Sequence, residues 1–203
     1  DMRQTLRRIC QSRTYQHSIR TNTWNQDNQI HYAHALARRL PAEVLYDAIH
    51  VAMGSRSNLP GVRIGTKARE LIDSSTKVND GFLDLFGRPP RESACECERS
   101  QEASLAQSLH LFNAKNIHEQ LAHKEGRAAK LAADKGRDHA AKINSLYYQA
   151  FARLPRKSEI DVAVDYLKRE AVDKDGKPTD KTRERYEDIL WALINTKEFL
   201  FNH

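Results

Sequence analysis

A mainly α-helical fold is the architecture this sequence predicts: an irregular, loop-rich N-terminal half packed on a C-terminal helical bundle, with at most short strands. Three observations predict it. From Leu105 onward, apolar residues recur every three or four positions, the period of an amphipathic helix. Before that point, long stretches rich in Asn, Thr, Ser, Gly and Pro show no sustained period and read as turns and surface connections. Start and stop signals of helices punctuate the rest, as at Pro41 and Gly54.

Met2, Leu6, Ile9 and Cys10 recur at helical spacing, so the chain opens on a short helix with Cys10 on its inward stripe. The following SRTYQHSIRTNTWNQDNQ is a long polar connection, for which Tyr15 and Trp24 are the expected anchors. Asp27 or Asn28 is placed to cap a helix running to about Arg39. A third helix opens at Pro41 and stops at Gly54, with Val44, Leu45, Ala48, Ile49 and Ala52 facing inward. Residues 55 to 80 carry turn residues, and Phe82 to Phe86 form a short apolar plug ahead of the tandem prolines of GRPPR.

The helical part follows. Leu105, Leu109 and Phe112 define one face; Ile117, Leu121 and Ala128 to Leu131 continue past an interruption at Gly126. Ile143, Leu146, Tyr147, Ala150 and Phe151 form the next stripe, stopped near Pro155. Ser158 with Asp161 three residues on resembles a capping box. The last helix carries Tyr186, Ile189, Leu190, Leu193 and Ile194 at i, i+3, i+4, i+7 and i+8. Residues 1–203 are expected to form a single domain, with sub-lobes 1–88 and 100–203 joined by 89–99.

Composition narrows the function classes. With 39% hydrophobic and 30% charged residues, the 203-residue chain suits a globule, and no window supplies a membrane span. The net charge of +6 favours anionic partners in general. Its cations are nevertheless scattered beside acids, as in DKTRERYED, which disfavours nucleic acid as the partner.

Most candidate motifs fail on their own chemistry. Asp173 and Asp175 begin like a calcium loop, but Lys177 and Pro178 stand where an oxygen ligand and glycine are required. GVRIGTK is one residue short of a phosphate loop, so Gly61 and Gly65 read as turn residues. His31 and His34 are close enough on a helix to share a metal ion, yet lack a nearby third ligand. No resident cofactor, metal site or catalytic constellation is assigned.

Cys95 and Cys97, in PPRESACECERS, are the one local site worth singling out. Two residues apart on a strand, they share a face with Cα atoms roughly 6.6 Å apart, at the far edge of disulfide reach. A bridge between them needs a tight turn and is strained, which makes it labile and oxidising. Glu92, Glu96 and Glu98 raise thiol pKa values, opposed by Arg91 and Arg99. Buried structural thiols, a bridge (internal or to Cys10) and metal ligation all remain open.

The stretches LPAEVLYDAI, FLDLFGRPPRESACECERS, SLAQSLHLFN, YYQAFARLP and DILWALINTKEFLFNH resemble, in that order, the PSD-type domain of unknown function known from planctomycete surface and envelope proteins. The resemblance implies a C-terminal domain of a longer exported protein, ending naturally at His203 and cut at Asp1. It implies an extracytoplasmic location, in the periplasm or cell envelope. The implied partners are upstream domains of the same protein, among them a cytochrome-c-like domain. The resemblance supplies no catalytic residues.

A non-catalytic interaction or scaffolding module is therefore the leading expectation. A thiol or metal redox module beside the cytochrome-c-like domain, and a binder of anionic polysaccharide, are the alternatives.

Overall fold

The computed structural model describes residues 1–28, 30–72, 81–90, 104–169 and 179–202. Its elements are mostly helical, and the chain divides into two compact units, Asp1–Arg39 with Phe201–His203, and Leu40–Leu200.

The smaller unit opens with α1 (Met2–Cys10), capped by Asp1, whose carboxylate accepts from the Arg3 N–H at 2.9 Å. No residue of α1 is buried, and Cys10 is exposed rather than facing a core. The long connection after it is not held by its aromatics: Tyr15 is 66% exposed and Trp24 95%. Polar side chains hold it instead. Asn22 accepts from the Trp24 N–H at 2.9 Å, Asn25 donates to the Ala33 carbonyl at 3.2 Å, and His17 Nδ1 meets the Tyr32 carbonyl at 2.8 Å.

The helix expected from Asp27 or Asn28 to Arg39 does not form. Asn28 does accept from the His31 N–H at 2.9 Å, as a cap would, but Tyr32 takes φ 53°, a left-handed conformation that ends any helical run. His31 and His34 therefore do not share a helix face. The unit closes with β1 (Arg38–Arg39) antiparallel to β2 (Phe201–Asn202), Arg39 opposite Phe201.

In the larger unit, α2 (Ala42–Met53) enters from Pro41 and stops at Gly54, which takes φ 67°. Pro41 fixes an extended entry, and only glycine adopts that C-terminal turn without strain. The buried set is wider than one stripe: Ala42, Leu45, Tyr46, Ile49, Ala52 and Met53 are enclosed, whereas Val44 is 39% exposed. This helix packs on several neighbours, among them η1, α3, α7 and α9 below, so most of its circumference faces protein.

The turn-rich stretch after α2 is a sequence of bonded turns that buries Leu59, with Gly61 and Gly65 at positive φ. It leads to the 3-10 turn η1 (Ala68–Glu70), whose first N–H groups are received by Asp47 of α2, at 2.7 Å for Ala68. The plug is α3 (Phe82–Leu85), and Phe82 stacks on Phe86 with ring centroids 4.3 Å apart.

Ser104 caps α4 (Leu105–Asn113), and α5 (Lys115–Leu121) follows directly. The inward face of α4 is Gln107 and Leu111, continued by Ala114; Leu105, Leu109 and Phe112 are 75%, 51% and 44% exposed. A polar residue takes the inward position because the Leu85 carbonyl ending α3 needs a donor, and the Gln107 amide supplies it at 2.9 Å.

The remaining elements are α6 (Arg127–Ala133), α7 (His139–Phe151), α8 (Lys157–Lys168), α9 (Thr182–Ile194) and α10 (Lys197–Leu200). α6 packs along α9, and α7 along α8. The five apolar residues expected on the inner face of α9 are all buried. The capping box of α8 is formed by Arg156 and Glu159, not by Ser158 and Asp161: the Arg156 N–H donates to Glu159 Oε2 at 2.6 Å, and Ser158 lies inside the helix. Pro155 fixes the extended entry, so the helix begins two residues earlier than its serine suggests.

Among the described residues, no helix is long and apolar enough to cross a membrane.

Candidate functional site

Helices α7, α8 and α9 leave an open groove of about 790 Å³ on the larger unit. Buried and exposed positions of α8 and α9 together build it. Val162, Ala163 and Tyr166 come from α8; Ile189, Trp191, Ala192 and Leu193 come from α9; Tyr147 of α7 closes one side. Val162 is 71% exposed, an apolar residue left at the surface by the same helix that buries Leu167. The indole of Trp191 packs on Phe112 with centroids 5.3 Å apart, which joins the exposed α4 stripe to the groove wall. Trp191 Nε1 is buried and has no hydrogen-bond partner among the described residues.

Two polar devices fix the walls. At one end Arg153, just past α7, binds two carboxylates: its Nε and Nη2 donate to Glu198 at 2.5 and 2.8 Å, and its Nη1 and Nη2 to Glu159, both at 2.9 Å. The guanidinium also lies 5.4 Å from the centroids of the Tyr147 and Phe151 rings. This bonding raises the Arg153 pKa above its ordinary value and holds Glu159 down to about 2, the Arg153 hydrogen bonds being the main cause. On the exposed side, the Tyr166 hydroxyl donates to Asp188 at 2.5 Å, tying α8 to α9 and pushing the phenol up.

Glu159 stays ionised and cannot act as a general acid near neutrality, and Tyr166 stays protonated and cannot act as a base. Ser158 has no histidine beside it among the described lining residues, so no activated nucleophile is assembled. What remains is a mostly apolar trough with Glu159 and Asp188 on its lining.

A second polar cluster is structural. His139 Nδ1 meets the hydroxyl of the fully buried Tyr186 at 2.9 Å, and Lys142 Nζ lies 5.9 Å from the centroid of the same ring. Burial pushes Tyr186 up to about 12, and burial followed by the Lys142 and Lys168 charges pushes His139 down. The groove described above is not lined by this cluster.

Cys95 and Cys97, the thiols singled out in the sequence, lie outside the described residues. Among the described residues no group of three or more His, Cys, Asp or Glu side chains is placed to hold a metal ion. The groove itself was not anticipated. Its signal was present: Val162 and the Leu105, Leu109 and Phe112 stripe are apolar positions that the buried faces of their helices do not need.

No curated protein and no solved structure matches the chain. A family model described as PSD1, a protein of unknown function (DUF1553), matches residues 1–167, and the chain belongs to that family.

Proposed function

We propose that this chain is a non-catalytic interaction module whose groove between α8 and α9 receives an amphipathic helix. One observation carries the reading: a mostly apolar trough of about 790 Å³ continues through Trp191 and Phe112 onto an exposed leucine stripe. Apolar surface of that extent marks a docking site more often than bare surface. A helix laid in such a groove is a recurring mode of polypeptide recognition.

Within this reading the module works as part of an exported planctomycete protein, outside the cytoplasm, beside upstream domains that include a cytochrome-c-like domain. The sequence resemblance supports that setting. Cys95 and Cys97 act in it as bracing thiols and not as a redox pair. Thiol counting tests this point: in the native protein Cys10, which is exposed, reacts quickly, and the other two react only after denaturation. Rapid native labelling of all three, or a bound metal, overturns the bracing role.

The groove is tested with a probe. In a Trp24→Phe background Trp191 is the only tryptophan left. Titration with a synthetic amphipathic Leu/Lys helix is expected to change its fluorescence saturably, and Val162→Glu is expected to abolish the change while far-ultraviolet dichroism is retained. A flat titration overturns the reading. So does a saturable enzymatic activity centred on the groove and lost with Val162→Glu.

A further inference from the structure

Charge is divided unevenly along this chain. Residues 1–39 hold seven arginines, no lysine, and only Asp1 and Asp27 as acids, so most of the net charge of +6 belongs to the smaller unit and the rest of the chain is close to neutral. Five of those arginines, Arg3, Arg7, Arg8, Arg13 and Arg20, are exposed, and none of the five enters an ion pair among the described residues.

Three of them lie on α1, where their placement is not random. At 3.6 residues per turn, Met2, Leu6, Ile9 and Cys10 fall within an arc of about 100°. Met2, Leu6 and Ile9 are 75%, 54% and 48% exposed, and α1 buries no residue. Arg3 and then Arg7 border one edge of the stripe, and Arg8 stands on the opposite side of the helix. The helix itself contains no acid, and the Asp1 carboxylate before it is taken up by the Arg3 N–H.

An apolar stripe bordered by cations suits a helix lying in the plane of a lipid–water boundary, its aliphatic side chains in the acyl region and its guanidinium groups among the head groups. Tyr15, Trp24 and Tyr32, exposed in the same unit, are ring types that favour that boundary. A soluble polyanion would engage the arginines and leave the aliphatic stripe in water, whereas an anionic lipid surface satisfies both.

We propose that α1 is a contact helix for an anionic lipid surface, with Met2, Leu6 and Ile9 inserted and Arg3 and Arg7 on the lipid phosphates. The proposal stands on the smaller unit alone and does not involve the α8–α9 groove. Three aliphatic side chains on a nine-residue helix are too few to hold by themselves, and the arginines supply the rest. Binding is therefore reversible, requires anionic lipid and weakens as salt rises.

Cosedimentation of the full chain with phosphatidylcholine vesicles, made with and without phosphatidylglycerol, tests the proposal. The wild type is expected to bind the anionic vesicles and not the neutral ones. Leu6→Glu is expected to weaken binding at least about tenfold, and Arg3→Gln with Arg7→Gln about thirtyfold. Arg8→Gln, on the side away from the lipid, is expected to cost less than Arg3→Gln alone. Melting temperatures are expected to stay unchanged, since these positions are exposed. If Leu6→Glu and Met2→Glu both lower the melting temperature, the stripe packs within the protein and the proposal fails. It is also overturned by an absence of vesicle binding, by equal binding to neutral vesicles, or by a Leu6→Glu variant that binds as the wild type does. Binding to dextran sulfate that Leu6→Glu leaves intact, without binding to vesicles, identifies a soluble polyanion as the partner instead and overturns it as well.

Discussion

Arg127 illustrates how single side chains hold this molecule together. From the first turn of α6 its Nε and Nη2 donate to the Ala52 and Val51 carbonyls at the end of α2, at 2.7 and 2.9 Å, and Nη2 also reaches Gln149 at 3.1 Å. Burial lowers its pKa without neutralising it, because those carbonyls take the place of water. Arg127→Met is expected to cost about 2–3 kcal/mol, since charge-assisted bonds are lost and carbonyls are left bare. Chemical denaturation would register this as a lower midpoint at an unchanged slope; an unchanged midpoint would show the bonds to be dispensable. Gly54 faces the same arginine. A Cβ there would lie 3.3 Å from Arg127 Cβ on a backbone at φ 67°, so Gly54→Ala is expected to destabilise by about 1–2 kcal/mol in the same measurement. The sequence announced Gly54 as a helix stop. It could not announce Arg127 as a cap, because residues 52 and 127 become neighbours only when α2 and α6 pack.

At the scale of elements, the recurring device is the cationic cap on another helix's carboxyl end. Arg127 serves α2, Arg183 donates to the Ala122 carbonyl after α5, Lys142 to the Asp134 carbonyl after α6, and Arg185 to the Leu167 carbonyl of α8. Short helices gain proportionately most from such caps, since the unsatisfied carbonyls are a large share of their backbone groups. The entry to α8 is the pH-sensitive counterpart. Glu159 titrates at about 2 in the folded chain, against about 4.3 when unfolded. With the folded value depressed, its contribution is complete above the unfolded value and disappears as pH falls towards the folded one. Wild-type stability is therefore expected to decline between about pH 4 and 2, and Glu159→Gln to be less stable at neutral pH but flatter over that window. Parallel acid limbs for the two proteins would refute this role. Tyr186 works at the alkaline end. Its pKa is raised to about 12 by burial, so its contribution to stability is present below about 10 and lost as pH rises towards 12, and Tyr186→Phe is expected to make the alkaline limb, which Tyr147 and Tyr166 share, shallower at a cost of about 1 kcal/mol near neutrality.

On the scale of the whole molecule, several of the cations behind the net charge of +6 end on backbone carbonyls, where they keep their charge while their donors are occupied. Apolar exposure is the more telling surface property, along α4, in the α8–α9 groove and on α1. The sequence by itself determined the mostly helical class, the stop of α2 at Gly54, the buried stripe of α9 and the family, because helical periodicity and turn chemistry are local and survive without a partner. Tertiary packing alone decided which apolar stripes are covered. Leu105, Leu109 and Phe112 have the same spacing as a core face, yet Gln107 turns inward because a carbonyl on α3 needs its amide. Periodicity states that a helix has two faces, and only the arrangement of its neighbours states which of them meets water.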